Sequence, residues 1–176
     1  MFARVLSRRE MAVWCGVLSG ALLLCGAVQY CFGWGLQAGQ ALQADTLRLH
    51  IRADSDAFAD QTAKLAVRDA ILAELDAHCP AQEKSAALEW AAQNLPHLEL
   101  LARQTLARLG CAPEARVELV NMYFSATQYP AGRLPAGRYD ALRITLGHNA
   151  RSGKNWWCVL YPGLCRAACG GYAAPA

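Results

Sequence analysis

The sequence predicts an α+β fold: an N-terminal apolar helix, then a mainly antiparallel sheet with two or three helices packed on one face. Three observations carry this expectation. A strongly apolar segment opens the chain, one strand-like stretch follows it, and a long helical region then separates that stretch from a run of further strand-like stretches.

At the start, Arg4, Arg8 and Arg9 precede an uncharged run from Met11 to Tyr30. A basic flank followed by some twenty apolar residues is a secretory signal or a transmembrane anchor. A buried core helix does not suit it, because nothing from Met11 to Gln43 is charged and no polar face recurs. Gly39-Gln40-Ala41 is a small-x-small pattern, so cleavage after Ala41 fits. The basic flank stays inside, so the remainder is expected to be exported, touching the membrane through residues 11–30 if uncleaved. The expected organisation is 1–41 signal or anchor with a juxtamembrane segment, 45–169 exported domain and 170–176 flexible tail. Three of the 17 basic residues and one of the 14 acidic ones lie before Met11, which leaves the rest at +1. Such a balance excludes a nucleic-acid binder, whose partner phosphates need clustered Lys and Arg. About 130 residues make one domain.

Thr46 to Arg52 alternates without a slip: Leu47, Leu49 and Ile51 on one face, Arg48, His50 and Arg52 on the other. That pattern predicts a half-buried strand whose polar face is solvated or forms a cationic patch for an acidic partner surface. Asp54, Asp56 and Asp60 follow. They lack the EF-hand glycine and the terminal carboxylate, since Ala59 and Leu65 hold those positions, so Asp56 or Asp60 reads as an N-cap instead. A helix is expected from Asp60 to Ala77, with Leu65, Leu72 and Leu75 on its apolar face and Asp60, Lys64 and Arg68 at four-residue steps. Further helical stretches run from Glu83 to Asn94 and from Pro96 to Leu109, with Leu95-Pro96 breaking or kinking the pattern. A true reversal at Pro96 would bring Cys79 and Cys111 to one end of the helices; a mere kink would leave them at opposite ends.

Strands are expected over Arg116–Phe124 and Arg138–Leu146, the second entered through the turn Leu134-Pro135-Ala136-Gly137. A last strand leaves the turn at Gly153-Lys154-Asn155 and carries Trp156 and Trp157, two of the five tryptophans. On a strand they point to opposite faces, one inward and one outward or under a covering segment. Cys158 and Cys165 bracket a loop centred on Pro162 and Gly163. They are a structural disulfide candidate, worth roughly 2.5 kcal/mol by loop closure, or else two buried thiols. Five cysteines follow Ala41, an odd number, and Cys169 is the candidate left over.

No catalytic residue, metal ligand set or cofactor site is expected. Serines lack nucleophile-elbow glycines, no Gly-rich phosphate loop follows a strand, and no Cys-x-x-Cys pair is present. A Cys158–His148 pair is the one arrangement that invites a hydrolase. However, Cys158 lies inside a strand-like run, whereas nucleophilic cysteines begin helices or sit beside cations.

Several blocks occur in one order: Leu49-His50-Ile51-Arg52-Ala53-Asp54-Ser55-Asp56; Asp60-Gln61, Lys64-Leu65 and Val67-Arg68-Asp69; Leu134-Pro135-Ala136-Gly137-Arg138-Tyr139-Asp140-Ala141-Leu142-Arg143-Ile144; and Asn155-Trp156-Trp157-Cys158-Val159-Leu160 through Leu164-Cys165. Together they resemble the stage II sporulation protein R family of endospore-forming bacteria, over Leu47 to Cys165. Asp54 stands where that family commonly has Asn, and Tyr161-Pro162-Gly163 where it has Phe-Pro-Pro. The resemblance implies a signalling protein exported from the forespore into the space between forespore and mother-cell membranes. Its implied partner is the mother-cell membrane aspartic protease that processes pro-sigma-E. Aromatic and arginine anchors dominate protein contacts, so Arg48, His50, Arg52, Trp156 and Trp157 are the partner-binding candidates. The alternatives are a peptidoglycan-binding module with a Trp platform, or a wall hydrolase using Cys158 and His148.

Overall fold

The structure is a computed structural model that describes residues 7–79, 83–129, 132–148 and 154–161. It divides into two units, residues 1–41 and 42–176. Helix α1 (Arg8–Ala44) is unburied throughout its most apolar window, and by length and composition it can cross a membrane.

In the second unit, β1 (Leu47–Arg52) is followed by α2 (Phe58–His78) and α3 (Lys84–Arg108). Five strands come next: β2 (Ala115–Phe124), β3 (Thr127–Tyr129), β4 (Gly132–Leu134), β5 (Gly137–Leu146) and β6 (Asn155–Tyr161). The main sheet has the order β2-β5-β1-β6; β1 and β5 run parallel and the other pairs antiparallel, while β3 and β4 form a separate hairpin. This is the α+β class expected, with the helices on one face. Leu49, Ile51, Val117, Leu142 and Ile144 from the sheet close against Val67, Ile71, Leu98, Ala102 and Leu106 from the helices.

Three expectations are corrected. The first concerns β1, which is an inner strand: Leu47, Leu49, Ile51, Arg48 and His50 are all buried, so it is covered on both faces rather than half-solvated. The second concerns Pro96, where the alternative of a break fails: α3 runs through it as one 25-residue helix. Roughly 35 Å of helix therefore separates its ends. Cys79 follows α2 near the start of α3 and Cys111 follows its end, and both are free thiols, so the Cys79–Cys111 bridge does not form. The third concerns the start of α2, where Ala57 is the N-cap and no side chain caps the helix. Asp56 Oδ1 instead accepts the backbone N–H of Lys154 at 2.7 Å, and Asp60 is bonded to the Ser55 hydroxyl.

Proline inside a helix forgoes one intrahelical hydrogen bond and crowds the carbonyl four residues earlier. Replacing Pro96 by Ala is therefore expected to stabilise the domain by about 1–2 kcal/mol, the propensity gain being offset in part by a freer unfolded chain. Urea denaturation of the two chains checks this; an unchanged or lowered midpoint would show that Pro96 sets a bend that the packing needs.

Candidate functional site

The β1 pleat sends Arg48, His50 and Arg52 to the face away from the helices, as the alternation predicts. Their neighbours there are fixed by register. Arg48 lies between Ala141 of β5 and Val159 of β6, and His50 lies between Arg143 and Trp157. Two residues of this row are small or slender, Ala141 and Val159, and the space above them takes the Arg48 side chain and the rings of Phe124 and Tyr139.

Arg48 is fully buried. Its guanidinium carbon stands 3.9 Å from the centroid of the Phe124 ring and 5.2 Å from that of Tyr139. Nη2 donates to the Tyr129 hydroxyl at 2.9 Å. Tyr129 comes from the β3–β4 hairpin, which closes over this part of the sheet through the contacts of Tyr129 and Leu134 with Val159. Tyr139 is held in turn by its hydroxyl, which donates to the Pro135 carbonyl at 2.6 Å. Nε and Nη1 of Arg48 have no hydrogen-bond partner among the described residues. Stacking on two aromatic rings offsets part of the cost of burying a cation, at about 2 kcal/mol or more when desolvated. Burial without a counter-ion costs several kcal/mol.

His50 meets Phe124 and Trp157 edge to face, at 6.1 and 6.2 Å between centroids. Burial holds its pKa down to about 4; the Asn155 side chain pulls the other way, and Arg52, Arg143 and Arg48 reinforce the lowering. It is a neutral ring at pH 7. Arg143 is engaged by Glu118, with Nε and Nη2 donating to Oε1 at 3.0 and 2.9 Å.

The two tryptophans fall on opposite faces of β6. Trp157 is on the hairpin side and 39% exposed, and it meets His50 and Phe124 in edge-to-face pairs. Trp156 packs toward the helices, where Arg68 of α2 lies 4.4 Å over its ring. Beside it, buried Lys64 donates to Gln61 at 2.6 Å and to the Lys154 carbonyl at 3.0 Å. Burial lowers the Lys64 pKa, against an opposing pull from Asp56. The two ends of this contact, α2 and the β6 entry, are thus tied by Lys64, Arg68 and Asp56.

The structure does not bring Cys158 and His148 together. Cys158 is buried on the helix face opposite Leu49, in line with Leu142. His148 lies six residues beyond Leu142, past the end of β5 and the turn at Gly147, and its exposed ring pairs with Glu114 at 2.5 Å. The dyad expected for a wall hydrolase is therefore not assembled. Cys165, the candidate disulfide partner of Cys158, and Cys169 lie outside the described residues, as does 170–176.

Arg48, His50 and Arg52 do not form the outward cationic patch that alternation suggests, because Arg48 and His50 are covered and Arg52 is half-buried. Phe124, Tyr129 and Tyr139, which build the cover, were not singled out by sequence reasoning. The signal was present in Thr127-Gln128-Tyr129 and Gly132-Arg133-Leu134, two short runs on either side of Pro130-Ala131 in the sequence.

Residues 43–170 match the family model described as stage II sporulation protein R. Stage II sporulation protein R of Bacillus subtilis (strain 168) is 34% identical over 123 residues, which are 68% of this chain and 53% of that protein. The chain thus spans about half the length of the curated relative it matches. No solved structure matches it.

Proposed function

The chain belongs to the stage II sporulation protein R family, and from that premise we propose that it is an exported sporulation signal that activates a membrane-embedded aspartic protease of the mother cell. In this reading the α+β domain acts in the space between forespore and mother-cell membranes, either held by α1 or released by cleavage after Ala41. The protease then removes the inhibitory segment of pro-sigma-E. The observation that carries the reading is the extent of the family match, which covers the whole α+β domain rather than the apolar helix. An apolar helix compatible with a signal or anchor supports it.

An activating ligand must bind the active state of its target better than the inactive one. Trp157 is the contact we assign: a large ring, partly exposed, on a rigid strand and buttressed by His50 and Phe124. Lys154 and Asn155, both exposed, continue the same edge. His50 supports that ring directly and Arg48 supports it through Phe124, while Arg52 and Trp156 make no contact with it that enters this reading.

The test is a reconstitution in a non-sporulating host, with the full chain, the cognate protease and pro-sigma-E co-expressed. Pro-sigma-E is expected to shorten only when this chain is present. Trp157→Ala, checked for an unaltered melting curve, is expected to lower the shortening at least tenfold, the scale of an interface hot spot of about 2 kcal/mol. No shortening with a folded, exported wild-type chain would overturn the reading. Retention on purified cell wall, lost with Trp157→Ala, would then favour the wall-binding module.

A further inference from the structure

We propose that the cluster beneath the β3–β4 hairpin is a binding site for a carboxylate, with Arg48 as its principal donor. The inference does not depend on the signalling role. It starts from three N–H donors that point nowhere: one on Nε and two on Nη1 of a guanidinium with no solvent exposure. Its one hydrogen bond is to a neutral phenol, and its other neighbours are ring faces. These stabilise a cation but accept no further N–H. Buried donors are nearly always paired, and a buried cation nearly always has an anion.

The charged groups on this face of the sheet strengthen the argument. Arg48, Arg52, Arg116 and Arg143 lie on it among the described strand residues, and Glu118 there is already taken by Arg143 and Arg116. His50, neutral and facing the Asn155 side chain, adds no negative charge beside Arg48. An oxyanion seated against Arg48 meets the deficit of its three N–H donors. The flat walls of Phe124, Tyr139 and Trp157 favour a planar group over a tetrahedral one, which selects carboxylate over phosphate or sulfate. Entry is from the Trp157 side, the open edge of the cluster. The hairpin there is two strands of three residues each, seated through Tyr129 on Arg48 and through the Tyr129, Leu134 and Val159 group. So short an element opens at lower cost than the sheet it covers.

The experiment uses the full chain in detergent at fixed ionic strength, with sodium chloride replaced stepwise by acetate, by blocked glutamate or, in separate arms, by phosphate or blocked glutamine. Acetate and blocked glutamate are expected to raise the melting midpoint saturably, by about 4 °C or more. Blocked glutamine and phosphate should leave it where chloride does. A response to blocked glutamate but not acetate would assign the site to acidic side chains of a protein partner, a response to both to carboxylates at large. Arg48→Met keeps the length and packing of the side chain and removes its donors. It is expected to melt at or above the wild-type temperature in chloride and to lose the carboxylate response. Should that variant not fold, the wild type decides. The Nε–H resonance of Arg48, identified through the ring protons of Phe124 and Tyr139, is expected to shift as carboxylate is added. No shift of resonance or midpoint, an equal response to phosphate, or a response undiminished in a folded R48M chain would overturn the proposal.

Discussion

Lowering the pH from about 6.5 to about 4 is expected to remove about 3 kcal/mol of stability through His50 alone, and His50→Phe is expected to abolish that loss. The ordinary histidine pKa of 6.5 describes the unfolded chain; the folded value of about 4 reflects first the burial of the ring, then the three nearby guanidiniums. Between those values the unfolded chain binds the extra proton and the folded chain does not, so stability falls as pH falls. Above 6.5 the ring is neutral in both states and the contribution is complete; below 4 it is charged in both and the curve flattens again. Asp140 acts at the lower end. Hydrogen bonds from Asn121 and Lys84 hold its pKa below the usual carboxylate range, so its contribution is lost only under more acid conditions. Chemical denaturation from pH 7 to pH 4.5 therefore isolates His50. Phe preserves the edge-to-face packing with Phe124 and Trp157, and the difference between the two chains cancels the remaining histidines. Parallel stability curves for wild type and H50F would refute the assignment; His50→Leu repeats the test if Phe overfills the space.

The same residue shows what the sequence could and could not disclose. Alternation along Thr46–Arg52 placed Arg48, His50 and Arg52 on a common face, and the structure keeps them there. Alternation carries no information about what lies above that face. The cover comes from Phe124, Tyr129 and Tyr139, about eighty residues downstream, and two of the elements that deliver it, β3 and β4, are only three residues each. Strands that short offer too few positions for a period to emerge. Parallel pairing of β1 with β5 was equally hidden, because it joins segments on either side of both helices. It is this pairing that makes β1 an inner strand and turns a seemingly solvated face into an interior one.

Local rules did well where local forces decide. The opposite facing of Trp156 and Trp157 follows from the two-residue period of a strand and needs no partner. The helix from Phe58 to His78 follows from its apolar stripe. Pro96 defeated the local rule because packing outweighed it: Leu98, Ala102 and Leu106 after the proline belong to the same core against which Trp90 and Leu95 before it pack. A break would have cost that shared burial, whereas a proline inside a helix costs about 3 kcal/mol.

Gly147→Ala is expected to destabilise the domain by about 2–4 kcal/mol, from two separable causes. One is backbone conformation. Gly147 has φ +74°, in the left-handed region, where its N–H donates to the Glu114 carbonyl at 2.8 Å as the chain leaves β5. An alanine there is strained whatever its surroundings. The other is the space around it. Because β1 and β5 are parallel and pair Arg52 with Thr145, the two positions beyond, Asp54 and Gly147, arrive side by side. A Cβ at Gly147 would overlap the Cβ and carboxyl group of Asp54. Removing the Asp54 side chain relieves the overlap and leaves the dihedral strain. In an Asp54→Gly background the added Gly147→Ala change is therefore expected to cost only about 1–2 kcal/mol. The double-mutant cycle gives the difference as a coupling between the two positions. Urea denaturation of the four chains supplies it. If the cost of Gly147→Ala were the same in both backgrounds, the close approach would carry no energy and the left-handed conformation would account for all of it. A coupling of about 1–2 kcal/mol would instead establish that the crossing of β1 and β5 at this end of the sheet admits a side chain from one strand only.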